Sequence, residues 1–271
     1  HGSAGQIAIQ ESAPGLLPVD QLMLAIERNL FARASCMVSY GQANAAQWSQ
    51  WTGRECLHRG PALPLQPMSI VGQADWSLVL ARVQRWKGPQ VLGAALDSMQ
   101  APPAVRWAGR DVPDLGGAGS STLASMRRRF PRAWKETVDW HDTVDSGIAA
   151  DWMRQARAVL VPSTWDVFNF AGAEAMAAGA VPVVSQLDCY RDLIVPPENG
   201  YTFNHERDSA VDDLARILGD LLADAKLRRA VAVRAQQTAQ RFDYTETCRL
   251  LLVRFARLTE SPAAQKVPST S

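Results

Sequence analysis

From about residue 67 onward, short apolar runs alternate with longer stretches of helical pattern. The runs are "WSLVLARV" (76–83), "AVRWAG" (104–109), "ETVDW" (136–140), "RAVLVP" (157–162) and "AVPVVS" (180–185), and each predicts a strand. Between them, "GPQVLGAALDSM" (88–99) reads as a helix opened by Pro89 at a favoured early position. "DSGIAADWMRQA" (145–156) and "FAGAEAMAAG" (170–179) read as two more, with Gly179 placed to end the second. Strands alternating with helices predict an α/β fold with a doubly wound parallel sheet. Connections in such a sheet are right-handed, and ligands bind beyond the carboxyl ends of the strands.

The tail reads as packing helices without chemistry. "AVDDLARILGDLLADA" (210–225) sets Val211, Leu214, Ile217, Leu218, Leu221 and Leu222 on one stripe, and "CRLLLVRFARL" (248–258) repeats the pattern. Residues 1–66 differ. "DQLMLAIERNLFARA" (20–34) predicts a helix, "SCMVSYG" (35–41) a strand, "ANAAQWSQWTG" (43–53) a helix, and "RGPALPLQP" (59–67) a Pro-rich linker. One strand and two helices form no core of their own, so this segment must dock onto something. Two units follow: 1–66 and 67–271.

Composition narrows the function classes. With 28 Lys and Arg against 27 Asp and Glu, the net charge of +1 gives no field for a polyanion, and no basic run interleaved with aromatics points to nucleic acid. Cys36, Cys56, Cys189 and Cys248 form no CxxC pair, which reads as four buried or half-buried thiols of a reduced, cytoplasmic protein. No apolar run approaches the roughly 20 residues of a spanning helix, and "HGSAGQIAIQ" is no signal peptide. The opening His1, Gly2, Ser3 reads as an appended leader on a piece of a longer protein. "GRDVPDLGGAGSS" (109–121) lacks a P-loop Lys and reads as a mobile surface loop.

Two constellations carry candidate chemistry. In the first, a strand ending at Pro162 leads through "STWDVFN" into a helix containing Glu174, with Asp166 in the loop. A helix N-terminus beyond a strand end favours an anionic ligand, and the small Ala171, Gly172 and Ala173 would let it approach the backbone. Two carboxylates eight residues apart suit a ligand rich in hydroxyls; the structural alternative is a dipole partner and a turn residue. In the second, Arg82 closes a strand and Lys87 precedes a helix start, a pair that suits a diphosphate or, alternatively, simply solvated surface cations. Arg85 between them fits either.

Together these segments resemble the nucleotide-binding half of retaining glycosyltransferases of family four, which have the GT-B fold of two facing Rossmann-like domains. "ARVQRWKG" is similar to that family's Gly-Arg-Leu, spacer, Lys-Gly motif. "PSTWDVFNFAGAEAMAAGAVPVVS" is similar to its Pro-Ser, Glu, seven residues, Glu-Ala-Met-Ala signature, and "DLIVPPENGYTF" (192–203) to its acidic residue, Asn-Gly, aromatic ending. The resemblance implies that Arg82 and Lys87 bind the donor diphosphate and that Glu174 holds the ribose hydroxyls. It implies that Asp166 and the backbone of Phe168, Asn169 and Phe170 meet the donor sugar and its phosphate, with Ala171 beside them. Asp166 and Asp192 stand where the family has Glu, Asn169 where it commonly has Gly, and Ala81 replaces the Gly before Arg82. The expected partners are a nucleotide sugar, a glycan, lipid or small-molecule acceptor, and an acceptor-side domain supplied in cis or by a partner chain. Neither a metal nor a cofactor is implied, and His58, His141 and His205 have no ligand-like company in the sequence. Residues 20–66 resemble the end of the acceptor-side domain, through which the protein would sit peripherally on the inner membrane, and the terminal helix would cross back toward that domain. The rival reading is a module that binds nucleotide sugar or scaffolds a partner without turnover.

Overall fold

The computed structural model describes Gln6 and residues 18–65, 74–114 and 120–260. The central element is a six-stranded sheet. Its strands are β3 (Trp76–Leu80), β4 (Ala104–Ala108), β7 (Val138–His141), β8 (Ala158–Val161), β9 (Val181–Ser185) and β10 (Tyr201–Phe203). All neighbours are parallel, in the order β10-β9-β8-β3-β4-β7. Strands β8 and β9 are buried throughout, as expected of a parallel sheet covered by helices on both faces. The chain winds outward from β3 in one direction and from β8 in the other, which leaves a crevice at the carboxyl ends where these two meet.

Helices cover both faces: α3 (Pro89–Ser98), α4 (Thr122–Arg129), α5 (Ser146–Gln155), α6 (Phe170–Ala178), α7 (Ala210–Ala223) and α8 (Ala225–Ala239). One core cluster joins Val79, Leu92, Trp107, Trp134, Leu214 and Leu218; a second joins Leu63, Phe168, Met176, Tyr190 and Ala235. In the α7 stripe Leu214, Ile217, Leu218 and Leu221 are buried and Val211 is half-buried.

Residues 18–65 hold α1 (Pro18–Ala32), β1 (Met37–Ser39), α2 (Gln42–Thr52) and β2 (Cys56–His58), with β1 and β2 paired in parallel. The segment docks as its lack of a core requires. Tyr40 packs on Phe168 and Phe170, with ring centroids 5.9 and 5.2 Å apart. Leu63 N donates to Phe242 O at 2.9 Å, while Tyr244 N donates to Leu63 O at 3.1 Å. The boundary between residues 66 and 67 lies outside the described residues.

Several sequence expectations change. Strand β3 stops at Leu80, so Arg82 lies beyond it rather than closing it, and a single 3-10 turn, Arg85–Lys87, precedes α3. The loop 109–121 has paired ends, with β5 (Pro113–Asp114) antiparallel to β6 (Ser120–Ser121); Leu115–Gly119 lie outside the described residues. Helices α4 and α8 and strands β2 and β10 are additional. The tail helix α9 (Tyr244–Glu260) does not bury its apolar stripe: Leu250, Leu252, Val253 and Phe255 are 41%, 67%, 42% and 43% exposed. Cys248 on the same helix is exposed, whereas Cys36 is half-buried and Cys56 and Cys189 are buried.

Gly88 fixes the approach of the α3 N-terminus to β8. Its φ is +72°, and a Cβ there would lie 1.8 Å from Pro162 O, a backbone atom unable to give way. Gly88→Ala is therefore expected to destabilise the chain by about 3 kcal/mol or more, read as a lowered denaturant midpoint at unchanged m.

Candidate functional site

The crevice between β3 and β8 is built by two loops that hold one another. After β3, Trp86 is buried and its carbonyl accepts from Thr164 N at 2.7 Å. This joins the 3-10 turn to the loop after β8 and brings Lys87 Nζ to 2.7 Å from Asp166 Oδ2, with side chains only 15% and 14% exposed. Asn169 Nδ2 donates to the same carboxylate oxygen at 2.8 Å and to Ser163 Oγ at 3.3 Å. Asn169 Oδ1 accepts from Ala171 N at 3.1 Å and so caps α6, the role its short polar side chain suits. Tyr190 OH donates to Asn169 O at 2.8 Å, and Ser185 Oγ donates to Ser163 O.

Arg82 is exposed, its guanidinium 5.9 Å from the Trp86 ring centroid, and Arg85 is exposed beside it. Phe168 is buried and stacks edge-on against the half-buried Phe170, with centroids 4.8 Å apart, so both rings serve packing.

Helix α6 carries a single carboxylate, Glu174, in a run of small residues. It packs against β8, β9, α5 and α8, and buries Gly172, Ala173, Ala175, Met176, Ala177 and Ala178. A Cβ on Gly172 would meet Tyr190 OH at 2.5 Å. The small residues therefore admit neighbouring elements, not a ligand, which corrects the expectation for Gly172 and Ala173; Ala171 is half-buried. Glu174 is the one exposed position of the helix. It lines a cavity of about 380 Å³ with Leu80, Ser146, Ala149, Met153 and Arg154, and desolvation raises its pKa above the ordinary Glu value.

The two acids do not face one space. Asp166 lines a second cavity of about 560 Å³, whose walls come from α2 and from the loops after β8, β9 and β10, while Glu174 belongs to the smaller one. Glu174 lies one helical turn beyond the start of α6 and faces α5, whereas Asp166 stays in the loop before the helix. Sequence reasoning missed the α5 wall, although Ser146, Ala149, Ala150 and Met153 recur at the i, i+3, i+4, i+7 spacing of one helical face. Asp192 is exposed and lines neither cavity. Asn199 braces its own loop, accepting from Val195 N at 2.7 Å and donating to Leu193 O and to Thr238 Oγ1 at 3.1 Å each. Among the described residues no group of three or more His, Cys, Asp or Glu is placed to hold a metal ion.

Two outcomes follow. A double-mutant cycle on Lys87→Met and Asp166→Asn, read by chemical denaturation, is expected to give a coupling of about 1–3 kcal/mol, because each single change strands a mostly buried partner. For Glu174 the folded pKa exceeds the unfolded one, so its stabilising contribution is present at low pH and lost as pH rises through the folded value. Wild type should therefore lose stability relative to Glu174→Gln as pH rises from the ordinary Glu value of about 4.3 in paired melting curves.

Residues 76–224 match the family model described as glycosyl transferases group 1. A D-inositol 3-phosphate glycosyltransferase of Xylanimonas cellulosilytica is 31% identical over 221 residues, covering 80% of this chain and 49% of that protein. One from Jonesia denitrificans is 26% identical over 196 residues, covering 70% and 45%. The chain spans about half the length of the curated relatives it matches. Among solved structures, sucrose-phosphate synthase from Thermosynechococcus elongatus superposes with a TM-score of 0.75 at 19% identity, over 95% of this chain and 67% of that one. Anabaena HepE, in complex with UDP and glucose, gives 0.73 at 19% identity over 88% and 67%. The C-terminal domain of a group 1 glycosyl transferase from Francisella tularensis gives 0.53 at 20% identity over 62% and 86%. At these identities the structural likeness is one of fold, and the family match supplies the rest: the chain belongs to the group 1 glycosyl transferases, a family 4-type member with the GT-B, Rossmann-like architecture.

Proposed function

We propose that the chain is the donor-binding half of a retaining glycosyltransferase that moves a sugar from a nucleoside diphosphate sugar to a hydroxyl-bearing acceptor. The observation that carries this reading is the Lys87–Asp166 pair that joins the two loops at the crevice where the strand order reverses, with Glu174 lining a separate cavity one helical turn into α6. In this reading Glu174 accepts two hydrogen bonds from the ribose diol inside the smaller cavity. Arg82, Lys87 and the positive end of the α6 dipole meet the diphosphate. Asp166, on the other side of α6, meets hydroxyls of the transferred sugar, helped by the backbone of Phe168, Asn169 and Phe170. The complex of Anabaena HepE with UDP and glucose supports a nucleotide in this fold.

The chemistry asks most of the cations. The bond from the sugar's anomeric carbon to the phosphate oxygen breaks, and its electron pair leaves with the diphosphate. The acceptor oxygen bonds to the same face of that carbon, and its proton passes to the departing phosphate oxygen. Charge grows on the diphosphate as the bond breaks, so Arg82 and Lys87 contribute most in the transition state.

Residues 18–65 are, in this reading, the end of the acceptor-side domain, with the remainder supplied in cis or by a partner chain. The two-stranded β1–β2 sheet and the exposed Leu22 (60%), Ile26 (50%) and Leu30 (60%) of α1 support it, since such a piece leaves apolar surface uncovered. The engagement of Lys87 by Asp166 favours a second reading, a module that binds the nucleotide sugar without transferring it.

Melting curves with millimolar UDP or GDP test the common part. A nucleotide at 100 times its Kd adds about 2.7 kcal/mol, roughly 5–10 °C for a chain of this size. Glu174→Ala and Arg82→Ala are each expected to remove most of that shift with the apo melt retained. If neither nucleotide moves the transition, both readings fall; a shift together with sugar transfer from the donor removes the second.

A further inference from the structure

We propose that the larger cavity, on the Asp166 side, is an acceptor subsite built for a neutral polyhydroxylated molecule and against a phosphorylated one. The inference rests on the donor reading above, which places the transferred sugar beside Asp166. The cavity's volume of about 560 Å³ falls within the ~300–1,000 Å³ usual for small-molecule sites.

Its charged groups are already committed. Asp166 is held by Lys87 at 2.7 Å, and Arg191 is ion-paired with Asp188. Arg191 is the only Lys or Arg that lines this cavity among the described residues, and the remaining formal charge, on the exposed Glu206, is negative. A phosphate entering here would meet the carboxylates of Asp188 and Glu206 with Arg191 as the sole cation on the described wall, a charge that Asp188 already offsets.

The polar groups left over suit hydroxyls. Asn204 Oδ1 accepts from Glu206 N at 3.0 Å, and its amide protons have no partner among the described residues. The side chain of Gln186 makes no hydrogen bond among them either, and His205 Nδ1 is buried without a partner. An amide both donates and accepts, as does a sugar hydroxyl, so Gln186 and Asn204 match a polyol without any net charge on it. Gln47, from the other wall, accepts from Gln6 Nε2 at 2.9 Å and adds a further amide on the side of residues 18–65.

The test is a saturation-transfer NMR titration of the chain with glucose and with glucose 6-phosphate, with and without saturating UDP or GDP. Glucose is expected to bind about tenfold tighter than its phosphate. Gln186→Leu and Asn204→Leu should each weaken glucose several-fold. Both variants should keep the nucleotide-induced melting shift of wild type, which shows that they fold and retain the donor side. Equal or tighter binding of glucose 6-phosphate overturns the proposal. So does unchanged glucose binding in both variants, or no glucose binding by a chain that still responds to nucleotide. Loss of the nucleotide response in wild type falls instead on the donor reading.

Discussion

The ion pair between Lys87 and Asp166 is the contact on which the site depends. It joins the loop after β3 to the loop after β8, across the point where the sheet reverses its order. Two side chains this little exposed lose much of their hydration, a cost that the 2.7 Å contact and the Asn169 amide on the same oxygen help to offset. The backbone enforces the meeting: Thr164 N on Trp86 O and the seat of Gly88 on Pro162 set the two loops at one distance before any side chain is placed. An arrangement over-determined in this way is held in place before any ligand arrives, as the proposed function requires.

Helix α6 divides the space around that pair. Because it is packed against strands and helices on most sides, it tolerates only small side chains, and Tyr190 occupies the room that Gly172 leaves. Glu174 escapes that constraint by pointing into the gap toward α5, where partial desolvation raises its pKa. Asp166 sits before the helix and faces the opposite cavity. A single short helix thus separates the two cavities, which in the proposed function take the nucleoside on the Glu174 side and hydroxyl-rich groups on the Asp166 side.

Much of this was legible in the sequence for a definite reason. The apolar runs at 76–83, 157–162 and 180–185 lie in the middle of the sheet, where burial on both faces leaves an unbroken signal, and their strands fall within those bounds. Strand β10 escaped notice because Tyr201–Phe203 is an edge strand of three residues, too short for a period to show. Helix α8 escaped because Arg228 and the buried Gln236 interrupt an inner face otherwise made of Val231, Ala232, Ala235 and Ala239. Motifs single out the candidate residues but not their partners: nothing local in "RWKG" or "STWD" says that Lys87 and Asp166 touch, since 79 positions separate them. The role of Gly172 was misjudged for the same cause, because Tyr190 reaches it through the tertiary fold.

The exposed stripes of α1 and α9 mark the other limit of a residue-by-residue reading. Periodicity tells which face of a helix is apolar, not what covers it, and for Leu252 at 67% exposure nothing among the described residues does. The central claim, that α6 separates a nucleoside site from a sugar site, is tested most directly by a crystal structure of the chain with a nucleoside diphosphate sugar. The account expects the ribose on Glu174, the phosphates between Arg82 and Lys87, and the sugar beside Asp166. A nucleoside found in the larger cavity, with the Glu174 cavity empty, would contradict it.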